Sequence, residues 1–166
     1  VDVDRLKEFR AALDTIFKTD LAADKYTTAS SYRGKGYEPA RAVDGRTDTY
    51  WAAPDGVTTS WLEVDLGRPV EFNIARTEEA IALGQRVSAY HLEYWDGAAW
   101  KTFFTGTTIG HKKLDRFPPV KAQRVRLVID GARACPLISG FGLYDNDTYA
   151  PTAAASKDIV DEHSRH

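Results

Sequence analysis

The chain has 166 residues, of which 43% are hydrophobic and 28% charged, and its net charge is −2. That suits one folded domain of about 150 residues with short extensions, and the near-neutral balance argues against a general nucleic-acid binder. No apolar stretch approaches the roughly 20 residues of a helical membrane span, and the single cysteine, Cys135, excludes a disulfide framework or a multi-cysteine metal site.

Residues 1–20 predict one α-helix. Leu6, Phe9, Leu13, Ile16 and Phe17 recur at steps of three and four, which sets them on one stripe of a 3.6-residue helix. Asp2 or Asp4 suits its start and Lys18 its negative C-terminal end. A lone amphipathic helix of this length is marginal in water. It is therefore expected to lie on the following domain or to end a preceding one. The absence of methionine, even at position 1, and of a signal peptide points to a fragment of a longer protein.

Residues 21–145 read as all-β. Leu62-Glu63-Val64-Asp65-Leu66 alternates apolar and polar, as do the stretches around Val70, Phe72 and Ile74, around Tyr90, Leu92 and Tyr94, and around Val125, Leu127 and Ile129. Each predicts a strand with one face on a core and one in water. Turn signals separate them, among them Asp44-Gly45, Asp55-Gly56, Leu66-Gly67, Asp96-Gly97 and Asp130-Gly131. Short strands at this spacing predict a sandwich or jelly roll. Trp51, Trp61, Trp95 and Trp100 are read as core and edge packing. Residues 146–166 change character: Pro151, a run of alanines and then charged residues predict a linker or frayed end, and His163 and His166 receive no role.

Catalytic constellations are scarce. The four histidines show no metal-ligand spacing, and no Gly-x-Ser-x-Gly elbow occurs. Gly34-Lys35-Gly36 lacks phosphate-loop spacing, and Cys135, followed by Pro136 in an apolar stretch, reads as a buried thiol. Glu78 and Glu79 are adjacent at a strand end, so their side chains point to opposite faces and cannot flank one bond. A binding module is the expectation. The densest segment runs from Arg41 to Trp51, where an Asp44-Gly45 turn is ringed by oxygens of Asp44, Asp48 and Thr49. Such a loop suits a hard cation that wants six to eight oxygens at about 2.3–2.6 Å. Composition alone favours a plain turn in which Asp44 caps its own backbone.

Arg41-Ala42-Val43-Asp44-Gly45-Arg46-Thr47-Asp48-Thr49-Tyr50-Trp51 resembles the Ala-x-Asp-Gly-x-x-x-Thr-x-Trp signature of the discoidin, or coagulation factor V/VIII type C, domain, whose sugar-binding members form carbohydrate-binding module family 32. Ser60-Trp61-Leu62-Glu63-Val64-Asp65-Leu66-Gly67 continues the match. Glu79 to Val87, Gly106 to Gly110, Arg116 to Val120 and Arg133 to Ser139 look like the C-terminal β-sandwich of glycoside hydrolase family 29 α-L-fucosidases, and the first helix is similar to the one that follows their catalytic barrel. The likeness covers about residues 1–145.

It implies an eight-stranded jelly-roll β-sandwich, galactose-binding-domain-like, preceded by one α-helix. It also implies a structural cation, usually Ca2+, held by the carbonyls of Arg41 and Arg46, the carboxylate of Asp44, the hydroxyl and carbonyl of Thr49 and the carbonyl of Ser139. Gly140 stands where the family usually has a glutamate, which weakens calcium or leaves a place for water or Na+. Galactose-binding members often carry a histidine after the signature tryptophan, and here that residue is Ala52. The family's usual arginine finds only Arg76 or Arg86 as counterparts. Loop residues able to hold a sugar are Arg33, Tyr37, Asp55, Glu79, Arg86 and His111, and Arg86 could instead pair with Glu79 to hold its loop.

Three roles follow from the likeness. The first is a non-catalytic carbohydrate-binding accessory module that keeps an α-L-fucosidase-like parent near galactose- or fucose-containing glycans. The second is a structural domain packed on the catalytic barrel, and the third a protein-adhesion module. Polar loop tips argue against membrane insertion. Hydrolysis would need carboxylates that the family keeps in the catalytic domain of the same parent chain. The expected location is extracellular, periplasmic or cell-surface.

Overall fold

The computed structural model, which describes residues 20–80 and 84–145, has seven strands among those residues, and the four period-two stretches lie in three of them. The strands are β1 (Tyr26–Ala29), β2 (Trp51–Ala52), β3 (Ser60–Glu79), β4 (Val87–Trp95), β5 (Trp100–Gly106), β6 (Lys113–Ala132) and β7 (Leu137–Tyr144), and every pairing is antiparallel. A 3-10 turn, Pro39–Ala42, precedes β2. The predicted N-terminal helix, the tail from residue 146 and its two histidines lie outside the described residues.

β3 and β6 are each 20 residues long, and their pairing shifts register between Asp65 and Val70 and again between Phe72 and Ile74. Leu66-Gly67, expected to end a strand, instead kinks one. Gly67 takes φ +86 and donates its N–H to Asp65 Oδ1, so the chain bulges and runs on. The two long strands thereby serve both layers of a sandwich. One layer holds β1, the first part of β3, the second part of β6, β4 and β5; the other holds β2, β7, the second part of β3 and the first part of β6. Both layers feed one core: Leu62, Val64, Leu92, Val125 and Leu127 from the first, Phe72, Ala75, Ile138, Phe141 and Leu143 from the second. Phe103 of β5 meets Phe117 of β6 at 4.6 Å between ring centroids, tying the layers at one edge. The expected β-sandwich is the fold observed, with seven strands among the described residues where eight were expected, because β3 and β6 each run on through both layers.

Two polar clusters interrupt the apolar interior. Tyr90 donates its hydroxyl to Asp115 Oδ2 at 2.5 Å, and Lys113 Nζ lies 3.1 Å from the other carboxylate oxygen. Burial and that carboxylate both push the Tyr90 phenol above its ordinary range, so it stays a donor. At the start of the described chain, Asp20 Oδ1 accepts N–H bonds from Ala22 and Leu143, while its Oδ2 meets the Arg76 guanidinium at 3.2 Å. A Cβ on Gly142 would lie 2.8 Å from both Arg76 and Asp20, so the glycine leaves room for the clamp that docks the incoming chain on β7.

The solvent side of the first layer carries a stack that only the fold creates. The Arg126 guanidinium lies 4.0 Å from the ring centroids of Trp61 and of Trp100, and Arg124 lies 5.2 Å from Trp100. Glu63 accepts from both arginines, at 2.9 and 3.0 Å. Of the four tryptophans read as packing, Trp51 fills the core and the other three build this outer stack.

His91 belongs to the same face, with Nδ1 2.7 Å from Asp130 and Nε2 3.1 Å from Glu93. Burial disfavours the imidazolium, but the bonds and charges of the two carboxylates outweigh it and raise the pKa. Because the folded pKa is the higher, the stabilisation is complete below the unfolded pKa of about 6.5 and fades as pH rises through the folded value. The loss of thermal stability in His91→Gln is accordingly expected to be larger at about pH 5.5 than at about pH 8.5. Melting curves at the two pH values, with wild type beside the variant, check this.

Candidate functional site

Four connections meet at one end of the sandwich, and backbone hydrogen bonds lace them together. Arg33 N–H donates to Ala52, Ala53 N–H to Pro136, Ala80 N–H to Leu137 and Arg133 N–H to Arg86, at 2.8–3.1 Å. Their floor is apolar: Ala52, Ala53, Cys135 and Leu137 are buried, with Tyr37, Tyr50, Val57 and Ala80 packed on them. The Tyr37 and Tyr50 rings stand 5.6 Å apart.

On this floor the polar residues converge. Arg33 Nη2 lies 2.9 Å from Cys135 Sγ and 3.0 Å from Asp55 Oδ1, and its guanidinium sits 5.3 Å from the centroid of the Tyr37 ring. Arg86 Nη1 donates to the Cys135 carbonyl at 3.0 Å and approaches its sulfur at 3.2 Å. Desolvation opposes the charge on Arg33, but the neighbouring Cys135 and Asp55 outweigh it and raise its pKa, so it is charged at any working pH. The set is an aromatic plate with planar donors beside it, able to hold a ring through one apolar face and its hydroxyls.

Four of the six residues singled out for sugar contact, Arg33, Tyr37, Asp55 and Arg86, thus lie together. Glu79 sits beneath them with a different occupation. It is 3% exposed; Oε1 accepts the N–H groups of Arg86 and Val87, and Oε2 that of Gly110, so it holds two loops in place. His111 is exposed on the β5–β6 connection and reaches the group only through its neighbour Gly110. Ala52 is fully buried in the floor, and Arg76 belongs to the Asp20 clamp on β3. Cys135, Tyr50 and Val57 join the site without any signal in their spacing; Cys135 is buried, as its apolar context indicated.

The Asp44-Gly45 loop forms a tight turn with Gly45 at φ +73. Asp44 Oδ1 accepts the N–H of Arg46 at 3.0 Å and Oδ2 the hydroxyl of Thr49 at 2.5 Å, while Arg46 forks onto Asp48 at 2.9 and 2.8 Å. Arg41 ends in the 3-10 turn beside Glu38, at 3.6 Å. Ser139 is buried in β7, its hydroxyl donating to the Glu78 carbonyl at 3.4 Å. A Cβ on Gly140 would run into the Glu78 carboxylate, so an acidic group occupies the space that a side chain at 140 would enter. Among the described residues no three His, Cys, Asp or Glu side chains converge. The oxygens here are nevertheless of the hard type that suits Ca2+, provided that backbone carbonyls make up most of the shell.

A two-layer antiparallel sandwich with loops gathered over an apolar floor at one end defines the class as a β-sandwich domain. The F5/8 type C domain model matches residues 26–140, and the chain belongs to that family. It is 34% identical over 149 residues to alpha-L-fucosidase 1 of Arabidopsis thaliana, a match covering 86% of this chain and 29% of that protein. The structure of a Ruminococcus gnavus GH29 fucosidase in complex with fucose superposes with a TM-score of 0.80 at 34% identity, covering 86% of this chain and 30% of that one. Chitosan-binding module 2 of a Paenibacillus sp. IK-5 chitosanase/glucanase, in complex with chitotriose, gives 0.68 at 25% identity, covering 75% of this chain and 99% of the module. The chain therefore spans under a third of these fucosidases, and three quarters of it spans nearly the whole of that chitosan-binding module.

Proposed function

We propose that the chain is a carbohydrate-binding accessory module of an α-L-fucosidase-like glycoside hydrolase, holding the parent enzyme on galactose- or fucose-containing glycans. The observation that carries this role is the convergence of Arg33, Tyr37, Asp55 and Arg86 over the apolar floor. The likeness to fucosidases and to a chitosan-binding module supports it. Bond cleavage belongs to the catalytic domain of the parent, and the module contributes effective concentration. An extracellular or cell-surface setting accords with a glycan target, and among the described residues no helix is long and apolar enough to cross a membrane.

Calorimetric titration with galactose, fucose and fucosylated oligosaccharides tests this role. Saturable binding that Tyr37→Ala weakens about fivefold or more is expected, since losing a stacking face at a binding site costs on the order of 1 kcal/mol or more. Flat titrations across the panel, with acidic sugars flat as well, would transfer the assignment to the second role, a domain that packs on the rest of its parent. The Asp20–Arg76 clamp speaks for that role, because it pins the incoming chain to β7.

A structural Ca2+ is part of the proposal. The Asp44 carboxylate and Thr49 hydroxyl, with the carbonyls of Arg41, Arg46, Thr49 and Ser139, would hold it, Na+ being the alternative; the ion would brace the loop before Trp51. Saturating calcium is expected to raise the unfolding midpoint relative to chelator, by about 2.7 kcal/mol of stability at a hundredfold excess over Kd. Coincident melting curves with calcium and with chelator would remove the ion.

A further inference from the structure

We propose that the site takes an anionic sugar residue, one carrying a C6 carboxylate or a sulfate ester, with Arg33 and Arg86 as the oxyanion clamp. This rests on the carbohydrate-binding role proposed above and names the chemistry of its ligand. Both guanidinium groups approach one atom, Cys135 Sγ, at 2.9 and 3.2 Å. Their nearest nitrogens therefore lie no more than about 6 Å apart, within the range where like charges disfavour each other. Two cations held this close call for an anion between or above them.

Cys135 Sγ accepts from both guanidinium groups, and the carboxylates of the protein supply only part of the balancing charge. Asp55 meets Arg33, but its side chain is 91% exposed, so water screens the pair. Glu79, the other acid close by, has both oxygens occupied by backbone N–H groups. Among the described residues no carboxylate pairs with the Arg86 guanidinium, whose one anchored nitrogen bonds the Cys135 carbonyl and sulfur. The Arg86 backbone is fixed on both sides, its N–H by Glu79 and its carbonyl by Arg133 N–H. A planar, pre-positioned fork with open donors matches the two oxygens of a carboxylate or sulfate. Tyr37 and Tyr50 lie beside it as the plate for the ring that carries the group.

The experiment is a set of titrations of the 166-residue chain in matched pairs, galactobiose with digalacturonate and galactose with galactose 6-sulfate, at low and high salt. The acidic sugars are expected to bind at least tenfold more tightly than their neutral partners, with a preference that shrinks as salt rises. Digalacturonate against galactose 6-sulfate decides between carboxylate and sulfate. In Arg86→Gln and in Arg33→Gln, each confirmed folded by its melting curve, the acid-to-neutral affinity ratio falls toward one. No preference for digalacturonate over galactobiose together with none for galactose 6-sulfate over galactose, or a preference indifferent to salt, overturns the anionic clamp and leaves sugar binding intact. Failure of every sugar here and in the neutral panel overturns both proposals.

Discussion

Glu79→Ala is expected to destabilise the domain by about 3–5 kcal/mol and to disorder the loop end of the sandwich. The carboxylate is 3% exposed and accepts three backbone N–H bonds, from Arg86 and Val87 at 2.9 and 3.0 Å and from Gly110 at 2.8 Å. Alanine leaves those donors without their acceptor in a site with little access to water, at about 1–3 kcal/mol for each that stays unpaired. Water entering the space left behind keeps the sum below the maximum. Because Arg86 is positioned through its own N–H, ligand affinity should fall with stability, although Glu79 need touch no ligand. Denaturant titration gives the stability change. Glu79→Gln, which keeps one acceptor oxygen, should recover part of it.

The other large effect is expected at Trp51. Its side chain is completely buried between the layers, and its indole Nε1–H donates to the Ser31 carbonyl at 3.1 Å. Trp51→Ala removes a large apolar volume from a close-packed interior and should cost about 3–5 kcal/mol, a substantial part of a typical domain's 5–15 kcal/mol. The connection between β1 and β2 leans on this residue through the Ser31 bond, so it loses its reference point as well. Trp51→Phe, which refills most of the volume, should recover most of the stability but not the hydrogen bond. Unfolding midpoints of the two variants separate the contributions.

The chemistry of the loop end was legible as a set of residue types and illegible as an arrangement. Arg33, Tyr37, Asp55 and Arg86 stand out in the chain as polar and aromatic loop residues. That they share one site depends on Cys135, which is 102 residues from Arg33 and 49 from Arg86. Glu79 shows the reverse case. Its position beside a turn suggests a ligand, but the chain folds it inward, where the fixed N–H groups of two loops compete successfully for its oxygens. The outer stack of Trp61, Trp100 and Arg126 was likewise hidden, since cross-strand neighbours such as Glu63 and Arg126 are 63 residues apart.

Alternation of apolar and polar residues is a local property of the chain, and by itself it determined that this protein is built of half-buried antiparallel strands around an apolar core. The signature from Ala42 to Trp51 likewise determined its family, because a turn and a core anchor at fixed spacing are also local. Only the tertiary structure decided that β3 and β6 bend through bulges to serve both layers, and that four separate connections close over one floor. The physical reason is that a bulge, a loop lattice and a shared sulfur contact are fixed by register and packing between segments far apart in sequence. No local pattern records which distant partners will supply those hydrogen bonds.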